Sequence, residues 1–125
     1  MRDFRNYDIW QDGIKLTVKI YKLSKTYPDI VKFNLRTQIN RASTSISNNI
    51  AEGSAKSSEK DFSRFLEISL GSCYELETQL ILCSDVELIS EEIIEEKIIL
   101  KVHPRNRSFS TAFTTCADYS GKCCR

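Results

Sequence analysis

Leu35-Arg36-Thr37-Gln38-Ile39-Asn40-Arg41-Ala42-Ser43-Thr44-Ser45-Ile46-Ser47-Asn48-Asn49-Ile50-Ala51-Glu52-Gly53 is the stretch on which the fold turns. Leu35, Ile39, Ala42, Ile46, Asn49 and Ile50 recur at three- and four-residue steps, which places them on one face of a helix turning about 100° per residue. That face is a packing seam. Ala42, Ser43, Ser47 and Ala51 are small enough to let a neighbouring helix come close.

A second block has the same character. Phe62, Leu66, Ser69, Cys73, Leu76, Leu80 and Cys83 alternate steps of four and three, the average of about 3.5 seen where antiparallel helices interdigitate. A short connection between the blocks, Gly53 to Ser57, makes them a helical hairpin. Gly53 suits the left-handed residue that follows a helix end, and Ser58 with Asp61 suits a capping box that opens the next helix.

Working outward, a first helix is expected from about Tyr7 to Thr26. Ile14, Leu16, Val18 and Ile20 alternate as in a strand, but Ile9, Gly13, Leu16, Ile20, Leu23 and Tyr27 share one helical face, and no turn residue interrupts them after Gly13. Pro28 marks the connection, and a second helix is expected to start near Asp29. Ser90, followed by Glu91 and Glu92 where the helix dipole favours negative charge, suits the start of a fourth. After Pro104 the helical pattern stops: residues 104–125 hold six Ser or Thr, three Cys and one acid. The expected organisation is a domain over 1–102 and an atypical tail over 103–125, disordered or frameshifted, with a truncated or altered fourth helix.

Phe33, Leu35, Gln38, Arg41-Ala42-Ser43, Ser45-Ile46 and Asn49-Ile50-Ala51-Glu52-Gly53, then Phe62, Phe65-Leu66, Gly71-Ser72, Glu75-Leu76 and Thr78-Gln79-Leu80, resemble the bacterial family first met in intervening sequences of 23S ribosomal RNA genes. The resemblance runs from about Phe4 to Val102, with weaker agreement at Trp10, Tyr21 and Tyr27-Pro28. It implies an all-α, up-down antiparallel four-helix bundle, commonly a ring of five, with no established catalytic activity. A related accessory protein of diversity-generating retroelements binds nucleic acid through a basic surface, so the resemblance also implies RNA or DNA as a partner.

Several function classes find no support in the residues. A di-metal bundle site needs Glu-x-x-His pairs on two helices, and the chain has one histidine, His103. Gly53-Ser54-Ala55-Lys56-Ser57 lacks the glycine spacing of a phosphate loop, and the long third helix does not suit a helix-turn-helix. Cys116, Cys123 and Cys124 have no Cys-x-x-Cys spacing, so no metal site is expected. Cys73 and Cys83 fall on the apolar seam, where they act as small buried hydrophobes. Arg2, Asp3, Arg5, Asp8 and Asp12 interrupt any apolar leader, and no membrane span is present, so a cytoplasmic location is expected, with no cofactor and no small-molecule substrate.

Charge is segregated beneath a net of +1. Residues 1–60 carry +5, residues 61–103 carry −7, and residues 104–125 carry +3. Lys15, Lys19 and Lys22 share a face of the first helix, and Arg36 lies on the second away from its seam, a set that can neutralise phosphates. The alternative is a solvated face paired with acidic residues of the same or a neighbouring subunit. No aromatic side chains interleave with these lysines on their shared helical face as a single-strand stacking platform requires, so base-specific readout is not expected.

Gln38, Arg41, Ser45, Asn48 and Glu52 form a polar line beside the second helix's seam. It is expected to be structural: Arg41 pairs with a carboxylate such as Glu75, and Asn48 or Asn49 serves loop backbone groups. The competing role is a pore or ligand face in an oligomer. Trp10, Ile14 and Tyr21 fall about 100 to 150° from the core face of the first helix and are expected to cover a homo-oligomer interface, with five subunits as first expectation. Nucleic-acid binding by a non-enzymatic oligomer is the expected function; the alternative is a structural or protein-interaction scaffold that binds no nucleic acid.

Overall fold

The computed structural model describes residues 2–27 and 34–89. Among them a 3-10 turn, Phe4–Asn6, precedes three helices: α1, Asp8–Ser24; α2, Leu35–Ser54; and α3, Glu59–Asp85. No described helix is long and apolar enough to cross a membrane. The expected fourth helix and the tail over 103–125 lie outside the described residues, as does the expected start of α2 at Asp29; the helix is described from Leu35, with Asn34 as its N-cap.

The central helix is α2, with α1 on one flank and α3 on the other. The Thr17 hydroxyl lies 2.9 Å from the Ser43 carbonyl, and the Cα of Gly13 faces Ser47, so α1 and α2 run antiparallel. On the other flank Ser69 Oγ donates to the Ile46 carbonyl at 2.9 Å, and Ser72 Oγ meets Ser45 Oγ at 3.0 Å, so α2 and α3 are also antiparallel. These hydroxyls take up polar groups at the closest approaches of the helices, where an unpaired one would cost about 1–3 kcal/mol.

The core is the seam read from the sequence. Ile39, Ala42, Ile46 and Ile50 of α2 are buried against Phe62, Leu66, Cys73, Leu76, Leu80 and Cys83 of α3, and Ile9, Leu16 and Ile20 complete it from α1. The strand-like alternation in α1 dissolves on the helix: Leu16 and Ile20 point inward, while Ile14 and Val18 are exposed. A two-residue step rotates a helical side chain by about 200°, so alternation and helical amphipathicity coexist.

Two terminus expectations change. Gly53 is not a left-handed residue beyond the helix; it lies within α2, which runs on to Ser54 and is followed by Ala55 in right-handed geometry. Its role is close approach, since Phe65 and Phe62 press onto its Cα. Ser58 does cap α3, accepting from the Asp61 N–H at 3.1 Å, but Asp61 returns a contact to the Ser58 hydroxyl at 2.6 Å.

The first residues brace the α2–α3 connection. Arg2 donates to the Lys56 carbonyl at 2.7 Å, pairs with Glu59 and lies 4.8 Å over the Phe62 ring, on which Tyr7 also stacks.

Cys73 and Cys83 are buried and reduced. Burial, with the charge of Glu77 second, pushes the Cys73 thiol up to about 12 from an ordinary value near 9. Burial also raises Cys83, partly offset by the neighbouring Tyr27 hydroxyl, and burial likewise raises the Tyr27 hydroxyl. A thiol held protonated when folded but free to ionise when unfolded leaves the unfolded chain with fewer bound protons above pH 9, so stability falls as pH rises from about 9 towards 12. Peptide-resolved alkylation at pH 8 is expected to leave Cys73 and Cys83 unmodified until urea unfolds the chain, and the urea midpoint is expected to drop between pH 8 and pH 10. Ready alkylation of Cys73 in the folded protein would contradict its burial.

Candidate nucleic-acid interface

Helical geometry separates two outer surfaces on α1. Thr17 marks the flank in contact with α2, and Lys15, Lys19 and Lys22 lie about 140 to 160° around the helix from it. All three lysines are exposed. Lys15 is 3.4 Å from Asp12, an exposed pair worth little, and Lys22 makes no ion pair with another described residue. Arg36 is half-buried at the start of α2.

Most of the polar line of α2 faces outward, and within it Ser45 takes the expected packing role through its hydrogen bond with Ser72 of α3. Gln38, Arg41, Asn48 and Glu52 are exposed and Ser45 is half-buried. Arg41 does not pair with Glu75; among the described residues it has no ion-pair partner, and Glu75 instead accepts from Gln79 Nε2 at 3.3 Å. Asn49 donates to the Ser45 carbonyl at 2.7 Å and to Ser45 Oγ at 2.9 Å, within α2 rather than to a loop. Polar packing falls to the serines instead: Ser43, Ser47, Ser54, Ser69 and Ser72 are buried.

Two grooves flank this line. One, of about 560 Å³, runs between α2 and Tyr21 of α1, with Thr37, Asn40, Arg41, Thr44 and Asn48 among its lining residues. The other, of about 260 Å³, lies between α2 and α3 and contains Gln38, Arg41 and Glu75. Arg41 and Ser45 border both. Beside the larger groove Asn40 Oδ1 is buried without a hydrogen-bond partner among the described residues, and Glu52 at the far end is 3.7 Å from Lys56. Thr37, Asn40 and Thr44 went unread in the sequence, although they sit beside the polar line at the same three- and four-residue steps.

The expected interface residues divide. Trp10 is half-buried and meets Phe4 edge-to-face at 5.1 Å, so the N-terminal turn already covers it. Ile14 is 40% and Tyr21 46% exposed. No three of the described His, Cys, Asp and Glu side chains come together to hold a metal ion.

Comparison with known proteins supplies a family. Residues 5–101 match the family described as 23S rRNA-intervening sequence protein. The chain belongs to this family. A crystal structure of a protein of unknown function from the S23 ribosomal protein family of Bacteroides thetaiotaomicron is similar, with a TM-score of 0.67 and 26% sequence identity over 91% of this chain and 99% of the other. No curated protein matches. The match spans all three described helices.

Proposed function

We propose that the protein is a non-catalytic, cytoplasmic bundle subunit that self-associates and binds RNA or DNA through the lysine face of α1. The observation that carries binding is the exposure of Lys15, Lys19 and Lys22 on the side of α1 turned away from α2. Three lysines over two turns of helix, on a chain whose acidic residues concentrate in α3 and beyond, form a local positive field that neutralises phosphates. Family membership supports the up-down four-helix bundle, with the segment after Ser90 supplying the fourth helix. So does the half-exposed row Tyr74 and Ile81 on α3, set on the side of that helix away from Ser72 and its α2 partner. Ile14 and Val18 of α1, with Leu82 and Val86 of α3, are exposed apolar residues suited to contacts between subunits, for which the family resemblance makes five the expected number.

Mobility-shift titration of the full chain across a salt series tests binding, because phosphate-driven affinity falls linearly in log salt. Replacing Lys15, Lys19 and Lys22 together by Gln is expected to reduce that slope by roughly 2 to 3, at about 0.7 to 0.9 per phosphate contact, with an unchanged thermal melt. An affinity indifferent to salt and to the triple replacement would remove the nucleic-acid assignment. Light scattering coupled to size exclusion tests self-association: a single 14.4 kDa species at tens of micromolar would end it.

A further inference from the structure

We propose that the groove between α1 and the outer face of α2 is a binding site for single-stranded nucleic acid, in which a base stacks on Tyr21 and the adjoining phosphate meets Arg41. The inference rests on the nucleic-acid function proposed above and gives it a second, structurally distinct contact surface. The register that sets residue 13 against 47 and 17 against 43 brings Tyr21 level with residues 39 and 40. That places an exposed aromatic ring on the same wall system as Arg41 and Asn40.

The chemistry of the groove is that of a nucleotide. An aromatic face takes any base by stacking. The Arg41 guanidinium has no carboxylate partner among the described residues and a planar fork suited to phosphate oxygens. Thr37, Thr44 and Asn48 offer hydroxyl and amide groups for base edges and sugar.

Shape selects the strand state. A duplex is read by an element that protrudes into its groove, whereas this surface is a solvent-open groove of about 560 Å³. Unpaired nucleotides with splayed bases fit such a surface. Charge sets the direction: Arg41 attracts phosphate, while Glu52 at the other end repels it. Lys25, exposed one turn after Tyr21, and Lys22 beside it connect this groove to the lysine face, so the backbone can pass from one to the other. The aromatic platform that the lysine spacing lacks is thereby supplied by α1's other flank.

The test is fluorescence anisotropy of a fluorescein-labelled 12-nucleotide oligouridine with the full chain, and of the same strand paired with its complement. The single strand is expected to bind more tightly than the duplex. Tyr21→Ala is expected to weaken oligouridine binding about 5- to 150-fold, and Tyr21→Phe, which keeps the ring, to stay within about threefold of wild type. Arg41→Gln is expected to lower the log salt slope by about 0.7. Circular dichroism melts of all three should match wild type, since both side chains are exposed. Wild-type affinity in Tyr21→Ala and Arg41→Gln, with loss only in the triple lysine variant, would overturn the groove and leave the lysine face standing. Absence of binding by wild type would remove both. A drop in light-scattering mass for Tyr21→Ala with unaltered oligouridine affinity would assign the ring to a contact between copies and overturn the inference.

Discussion

Leu80→Ala is expected to lower the stability of the folded protein by about 2–5 kcal/mol. Leu80 is fully buried, and its neighbours along the α3 seam, Leu76 and Cys83, are buried as well. Truncation removes the transfer energy of three carbons and leaves a cavity that neighbours on two packed helices can fill only in part. Urea titration at fixed protein concentration measures the effect, with an exposed substitution on the same helix, Glu67→Ala, as reference. The midpoint of Leu80→Ala should fall with little change in slope, and that of Glu67→Ala should stay within about 0.5 kcal/mol of wild type. Equal midpoints for the two variants would mean that the seam does not hold the bundle together.

The three glycines of the helices should answer Ala substitution with three different results. A Cβ at Gly53 would stand 2.6 Å from Phe65 Cβ and 3.1 Å from Phe62 Cδ2. Phe65 Cβ is attached directly to the α3 backbone, so no rotamer moves it away, and α2 and α3 must separate at their closest point. Overpacking of that kind costs about 1–3 kcal/mol, which exceeds the gain of about 0.5–1 kcal/mol from replacing a helical glycine; Gly53→Ala is therefore destabilising. A Cβ at Gly13 would meet Ser47 Oγ at 2.5 Å, but that hydroxyl has no hydrogen-bond partner to lose among the described residues and can rotate, so Gly13→Ala should fall near neutral. Gly71 has no described atom within 4 Å of an added Cβ, and Gly71→Ala should stabilise by about 0.5–1 kcal/mol. The order of the three urea midpoints checks the packing directly. A Gly53→Ala protein as stable as Gly71→Ala would show that α2 and α3 are not in such close contact.

The helices and their buried faces were legible in the sequence because periodicity is a local property. Ile39, Ala42, Ile46 and Ile50, and Phe62 through Cys83, carry their spacing in the chain itself, and each falls in the core. Lys15, Lys19 and Lys22 were legible as an exposed stripe for the same reason: their angle from Leu16 and Ile20 follows from the helix alone. The family was legible too, because the residues from Phe33 to Leu80 that carry the resemblance lie within the matched span.

Neighbours decided the rest. Whether the polar line of α2 packs or faces outward depends on which flanks α1 and α3 occupy, and no spacing within α2 states that. Arg41 and Glu75 border the same crevice without pairing, a distance set by how the two helix axes lie rather than by either sequence pattern. Gly53 had the composition of a helix end, but the approach of Phe62 and Phe65 gives it a place inside the helix. Trp10 had the wheel position of an interface residue, and the preceding turn folds Phe4 onto it. Tyr21 lay on the same stripe; only the antiparallel register of α1 on α2 sets it beside Arg41 and Asn40. Local pattern determines which side of each helix is apolar, and tertiary structure determines what each remaining side meets, because contacts between helices join residues far apart in the chain.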